Sequence, residues 1–97
     1  MTRVSFLASA AADAEAAEAW YRERDPDVAA RFRARLDEAV AKVASAPERW
    51  SAPTAGARRV LFSEFPYALH YRRGADEVVI VAVAHQHRRP GYWRRRR

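Results

Sequence analysis

Apolar residues along the first half of the chain change their spacing twice, and each spacing predicts an element. Val4 and Phe6 alternate with polar neighbours in Arg3-Val4-Ser5-Phe6-Leu7, the period of a short strand. Ala10, Ala14, Ala17 and Tyr21 then recur at helical spacing with Trp20 beside them, which predicts a helix from about Ala10 to Arg24 capped by Ser9. Its many alanines propagate a helix well and let a second helix approach closely. Asp25-Pro26-Asp27 starts that second helix. Asp25 can accept from free backbone N–H groups, Pro26 suits the first helical position, and Asp27 complements the dipole. Val28, Phe32, Leu36, Val40 and Val43 follow as one apolar stripe, with Arg31, Arg35, Asp37 and Glu38 off it. Ala46-Pro47 ends it, because a residue before proline avoids helical geometry. With almost no linker between them, the helices are expected to form an antiparallel hairpin.

Past Pro47 the pattern is that of strands. Pro47, Pro53 and Gly56 mark a loop. Strands are expected over Arg58–Phe62, Tyr67–Arg73 and Glu77–His85. Ser63-Glu64-Phe65-Pro66 and Gly74-Ala75-Asp76 between them are short enough for consecutive antiparallel hairpins. Phe65-Pro66-Tyr67 reads as a turn with a buried aromatic anchor. The last strand is apolar on both faces, Val79, Val81 and Val83 on one and Val78, Ile80, Ala82 and Ala84 on the other, so it should be central and covered twice. The helical hairpin covers one face. The other is a groove left to the C-terminal segment or to a partner. The expected fold is α+β: an N-terminal strand and an antiparallel two-helix hairpin packed on a small antiparallel β-sheet. It forms one domain over residues 1–97, with the arginine run 94–97 frayed at its end.

Composition narrows the chemistry. A chain of 97 residues holds one core and no second. It has no cysteine, so disulfides, a thiol nucleophile and a cysteine metal site are excluded, and neither a metal nor a cofactor is expected. There is no signal-peptide core, and the longest apolar run, Val78 to Ala84, is too short for a bilayer. A cytoplasmic protein without membrane contact is expected. Charge changes the picture more. The net charge is +6, and it is unevenly placed. Residues 1–56 carry eight basic and nine acidic side chains, whereas residues 57–97 carry ten arginines against Glu64, Asp76 and Glu77. A GC-rich coding bias explains arginine in place of lysine, with Lys42 the only lysine, but not this asymmetry. An anionic partner is implied: nucleic acid, an acidic protein segment, or both.

The order of motifs then narrows the family. Ala10-x-x-Asp13-Ala14-x-x-Ala17-x-x-Trp20-Tyr21 is followed by Pro26, Ala30 and Phe32, and by Pro47-Glu48-Arg49-Trp50. Arg59 leads to Phe65-Pro66-Tyr67-Ala68-Leu69-His70-Tyr71, then the apolar strand Val78 to Ala84 ending in His85, and Arg88-Arg89-Pro90-Gly91-Tyr92-Trp93. Across nearly its whole length the chain resembles the RelE/ParE superfamily of type II toxin–antitoxin toxins, the plasmid-stabilisation type. The resemblance implies a helical hairpin on a small antiparallel sheet. It also implies growth inhibition until a cognate antitoxin, small and acidic, wraps the toxin in a hetero-oligomer. RelE-like members cut mRNA on the ribosome, and ParE-like members block DNA gyrase.

RNA cleavage by a 2′-hydroxyl needs a proton acceptor, a proton donor and positive charge at the phosphate. The candidates are Arg59 and Arg72 as phosphate forks, His85 and His87 as proton carriers, and Tyr92 to stack on a base or donate a proton. Their roles in a stable fold are equally concrete: His85 can satisfy backbone groups at a strand end, and Tyr92 and Trp93 can pack the tail on the sheet. The lysine-rich strand of the best-known RelE members is missing, and no carboxylate pairs with His85. Gyrase inhibition asks only for a rigid platform bearing charge and exposed aromatics, so the residues lean that way. A toxin fold kept only for binding is the third reading. The antitoxin is expected on the open sheet face and its arginine rim, drawn there by charge.

Overall fold

The computed structural model describes residues 2–50, 52, 57–88 and 91–96. Pro53, Gly56, Arg89, Pro90 and Arg97, singled out above, lie outside them. A single residue joins the two helices. Asp25 ends α1 (Ala8–Arg24) by donating its N–H to Tyr21 O at 2.7 Å, and its carboxylate begins α2 (Pro26–Ser45) by accepting from Asp27 N at 2.9 Å. The helix starts at Ala8 rather than Ala10, and no side chain caps it. Leu7 N–H bonds to Ile80 O and Ala11 N–H to Leu7 O, each at 3.0 Å. Strand pairing therefore sets the start of α1, and Ser9 falls inside its first turn.

The strands are β1 (Arg3–Phe6), β2 (Arg58–Leu61), β3 (Tyr67–Arg73) and β4 (Glu77–His85), in spatial order β1-β4-β3-β2. The β2–β3 and β3–β4 pairs are antiparallel as expected. β1 instead runs parallel to β4, with Arg3 opposite Glu77 and Phe6 opposite Ile80, so the sheet is mixed rather than antiparallel throughout. A parallel neighbour needs a long connection, and everything from α1 to β3 supplies it. The arrangement makes β4 central, as its two apolar faces require.

One extra residue redistributes those faces. His70 lies opposite Ala82 but Tyr71 opposite Ile80, so Val81 is unopposed, a β-bulge. The even alternation expected for β4 is thereby corrected: Val78, Ile80 and Val83 all face the helices, while Val79, Val81 and Ala82 face outward. On the helix side Phe32 is fully buried, ringed by Phe62, Phe65, Tyr67 and Tyr21 at centroid distances of 5.1–5.5 Å. Two arginines on the polar side of α2 clasp the β2–β3 turn there. Arg31 and Arg35 hold Glu64 at 2.7 and 3.1 Å, and Glu64 takes a positive φ of 73°. The hydrogen bond from Arg31 holds that carboxyl below the usual range. Buried Tyr71 ties down the loop after α2 through its hydroxyl, which donates to Pro47 O at 2.6 Å.

The outer face is closed by the C-terminal segment. Trp93, only 3% exposed, packs on Ala57, Val81 and Ala82. The turn before it uses Gly91 at φ +74°, where a Cβ would lie 2.6 Å from the Arg94 side chain. Of the arginine run expected to fray, residues 94–96 are described and they turn back on this segment. Arg94 N bonds back to Gly91 O and Arg96 N to Trp93 O, both at 3.0 Å, and the Arg96 side chain is anchored on α1.

Candidate functional site

The five residues expected to form a site do not converge: Arg59 and Arg72 belong to one surface, His85 and Tyr92 to another, and His87 stands beside His85 outside the residues that line it. Register places Arg59 opposite His70 on the outer face, and Arg72 opposite Val79 on that same face. Arg72 is not a free phosphate fork. Its guanidinium donates to Arg94 O at 3.0 Å and Arg96 O at 3.3 Å, and sits 5.7 Å from the Trp93 ring. Arg59 is half-buried and makes no side-chain hydrogen bond or ion pair among the described residues. Its neighbour His70, which the sequence does not single out, stacks on Trp93 with ring centroids 4.4 Å apart. Leu61, 50% exposed, extends this face at the sheet's β2 edge.

Burial, with Arg59 adding to it, lowers the His70 pKa from 6.5 to about 4. The unfolded chain therefore binds a proton at this residue over a pH range where the fold does not. The stability it contributes is complete above pH 6.5 and is lost progressively as pH falls toward 4. A His70→Gln variant is expected to show a shallower fall in melting temperature between those limits. Equal slopes in the two proteins would remove His70 as the cause.

The second surface is a groove of about 460 Å³ between α1 and the end of β4. Ala16, Trp20, Tyr67, His85, Arg88 and Tyr92 are among its lining residues. Trp20 stands 51% exposed on the rim with Arg24 3.6 Å from its ring. His85 lies edge-on to Tyr67 at 5.1 Å and beside His87 at 5.3 Å. Its Nδ1 accepts from His87 N–H at 3.1 Å, which leaves Nε2 as the protonated nitrogen of the neutral ring, and its carbonyl accepts from Arg88 N–H at 3.0 Å. His85 thus organises the strand end. Among the described residues no carboxylate bonds to His85 or His87. Burial, aided by Asp13, raises the Tyr92 phenol above its ordinary pKa, so the hydroxyl holds its proton.

Asp13 and Arg96 meet where groove and outer face join, and neither is picked out as a site by spacing. The carboxylate takes two hydrogen bonds from the guanidinium, at 2.5 and 3.1 Å. One signal was available. Asp13 lies between Ala10 and Ala17 at the margin of the buried stripe of α1, where a lone carboxylate requires a partner. No helix among the described residues is long and apolar enough to cross a membrane.

The profile of the ParE toxin of type II toxin–antitoxin systems, parDE, matches residues 4–90. A chain in the solved structure of the chromosomal ParDE TA system from P. aeruginosa superposes with a TM-score of 0.77 at 19% identity, covering 88% of this chain and 96% of that one. At that identity the likeness establishes the fold: two helices on a four-stranded mixed sheet. No curated protein matches the chain by sequence. With the family profile spanning most of the chain, the protein belongs to the ParE toxin family of type II toxin–antitoxin systems.

Proposed function

We propose that the protein is a non-enzymatic inhibitor of DNA gyrase, active in the cytoplasm until an antitoxin covers it. The observation that carries this reading is the division of the candidate catalytic residues. Arg59 and Arg72 lie on the outer face, His85 and Tyr92 in the groove, and Arg72 and His85 make hydrogen bonds that hold the fold. General acid–base catalysis needs donor, acceptor and charge within reach of one phosphate. Gyrase inhibition needs a rigid surface, and the outer face has Arg59 and Leu61 set in a sheet pinned by Trp93.

Family membership brings an antitoxin partner. Trp93 packs over Val81 and Ala82 of the outer face, where the antitoxin was expected, and leaves the β2 edge with Arg59 and Leu61 open, so the groove along α1 is the better seat for the antitoxin. Its alanine wall admits a close approach, and Arg88 with exposed Trp20 suits an apolar side chain flanked by acidic ones. Excess purified protein is expected to stop supercoiling by gyrase, and undisturbed supercoiling would sink the proposal. One observation favours mRNA cleavage instead: His85, Arg88 and Tyr92 share a groove. Primer extension on mRNA from arrested cells tests that reading, and growth arrest without new 5′ ends counts against it.

A further inference from the structure

β1 accompanies β4 only from Glu77 to Ile80. Beyond Ile80 the outer edge of β4 has no strand beside it among the described residues, and its backbone groups need other partners. Two side chains provide them. Asp13 of α1 accepts from Val83 N–H at 3.1 Å, and Arg96 donates to Val81 O at 3.2 Å. The same two side chains bind each other in a bidentate pair, so a carboxylate and a guanidinium take the place of a strand. This is the most buried ion pair among the described residues, with side chains 11% and 21% exposed. Exposed pairs contribute little. Here the loss of one partner strands the other in a poorly solvated place. Asp13 accordingly raises the Arg96 pKa above its ordinary value.

We infer that Asp13 is the positioning residue that locks the C-terminal strap, Gly91–Arg96, across the outer face of the sheet, and that the lock opens from the groove along α1. Side chains fasten the strap at three places among the described residues. Trp93 stacks on His70, Arg72 holds the carbonyls of Arg94 and Arg96, and Arg96 reaches Asp13. Only the last is reached from the groove, because Asp13 and Tyr92 both line it. Tyr92 lies between two guanidiniums, with Arg88 at 3.9 Å and Arg96 at 5.1 Å from its ring. An acidic group entering the groove competes with Asp13 for Arg96, and a bulky group displaces Tyr92. Either way, what fills the groove loosens the surface on the far side of the sheet. This deepens the antitoxin reading above by naming how a groove partner would reach the outer face, but the lock itself does not depend on which target the toxin has.

Carboxypeptidase B, which removes C-terminal arginines one at a time, reads the lock through intact mass of the full-length protein. In the wild type, release of Arg96 and the residues before it is expected to be slow. Asp13→Asn keeps an oxygen for Val83 N–H but loses the charge. It is expected to speed that release by about tenfold or more with the cooperative melt retained, local opening being separate from global unfolding. Ala16→Leu, which adds bulk to the groove one turn along α1 from Asp13 and leaves the Asp13 carboxylate in place, is expected to act in the same direction. Wild-type trimming rates in folded Asp13→Asn would overturn the lock. Wild-type rates in Ala16→Leu beside fast release in Asp13→Asn would overturn its opening from the groove. Should Asp13→Asn fail to fold, Arg96→Gln is read by NMR. The Trp93 indole N–H is expected to shift or broaden while those of Trp20 and Trp50 stay, and three unchanged signals would overturn the proposal. Gyrase activity is read in none of these arms, so their failure leaves the gyrase proposal standing.

Discussion

Phe32→Ala is expected to leave a chain without a stable fold at 37 °C. Truncating a buried phenylalanine costs about 3–5 kcal/mol through lost transfer energy and the cavity left behind. The upper end applies here. Phe32 has no exposed surface, and the rings of Tyr21, Phe62, Phe65 and Tyr67 surround it. These neighbours come from α1, β3 and the β2–β3 turn, so none can collapse into the gap without moving an element. A domain this small has about 5–15 kcal/mol to lose. Trp20→Ala, at an aromatic 51% exposed, is the control and should change the melt little. A Phe32→Ala protein melting within a few degrees of wild type would mean that the helices are not held to the sheet by this cluster.

The second large effect belongs to the other side of the sheet. Trp93→Ala is expected to cost about 3 kcal/mol, at the lower end for a buried aromatic, because the site borders solvent and can fill with water. It should also do what no helix-side truncation does. With the ring gone from above His70, that histidine regains water, and its pKa rises from about 4 toward 6.5. Histidine ring signals followed by NMR against pH separate the two effects. A stability loss with the His70 titration unmoved would show that Arg59 and the strands, rather than Trp93, keep this ring neutral.

How much of this was legible beforehand depends on the distance over which each feature is decided. β3 and β4 end at the expected residues, because Pro66 and Gly74-Ala75-Asp76 break the chain at their boundaries. α2 is likewise bounded by Asp25 and Ala46-Pro47. Local chemistry decides those limits. The start of α1 at Ala8 is decided by a hydrogen bond to Ile80, far along the chain, and spacing around Ser9 holds no trace of it. The bulge at Val81 is equally silent, since a run of valine, isoleucine and alanine has no polar residue to reveal that the faces exchange. Trp93 was legible as a packing residue. The tail beyond it was not, because four successive arginines look like a solvated end until Asp13, 83 residues from Arg96, is placed beside that one side chain. The candidate site suffers from the same limit. Arg72 and His85 carry the right chemistry in the sequence, and only the fold shows which of their nitrogens are already engaged.

The measurement that tests the central claim most directly is inhibition of gyrase supercoiling by the purified protein, titrated beside a His85→Ala/His87→Ala double variant. A surface inhibitor with no proton chemistry is predicted to block supercoiling with both histidines removed, at a concentration within about threefold of wild type. Absence of inhibition by the wild-type protein at excess, or its loss in the folded double variant, would contradict the account.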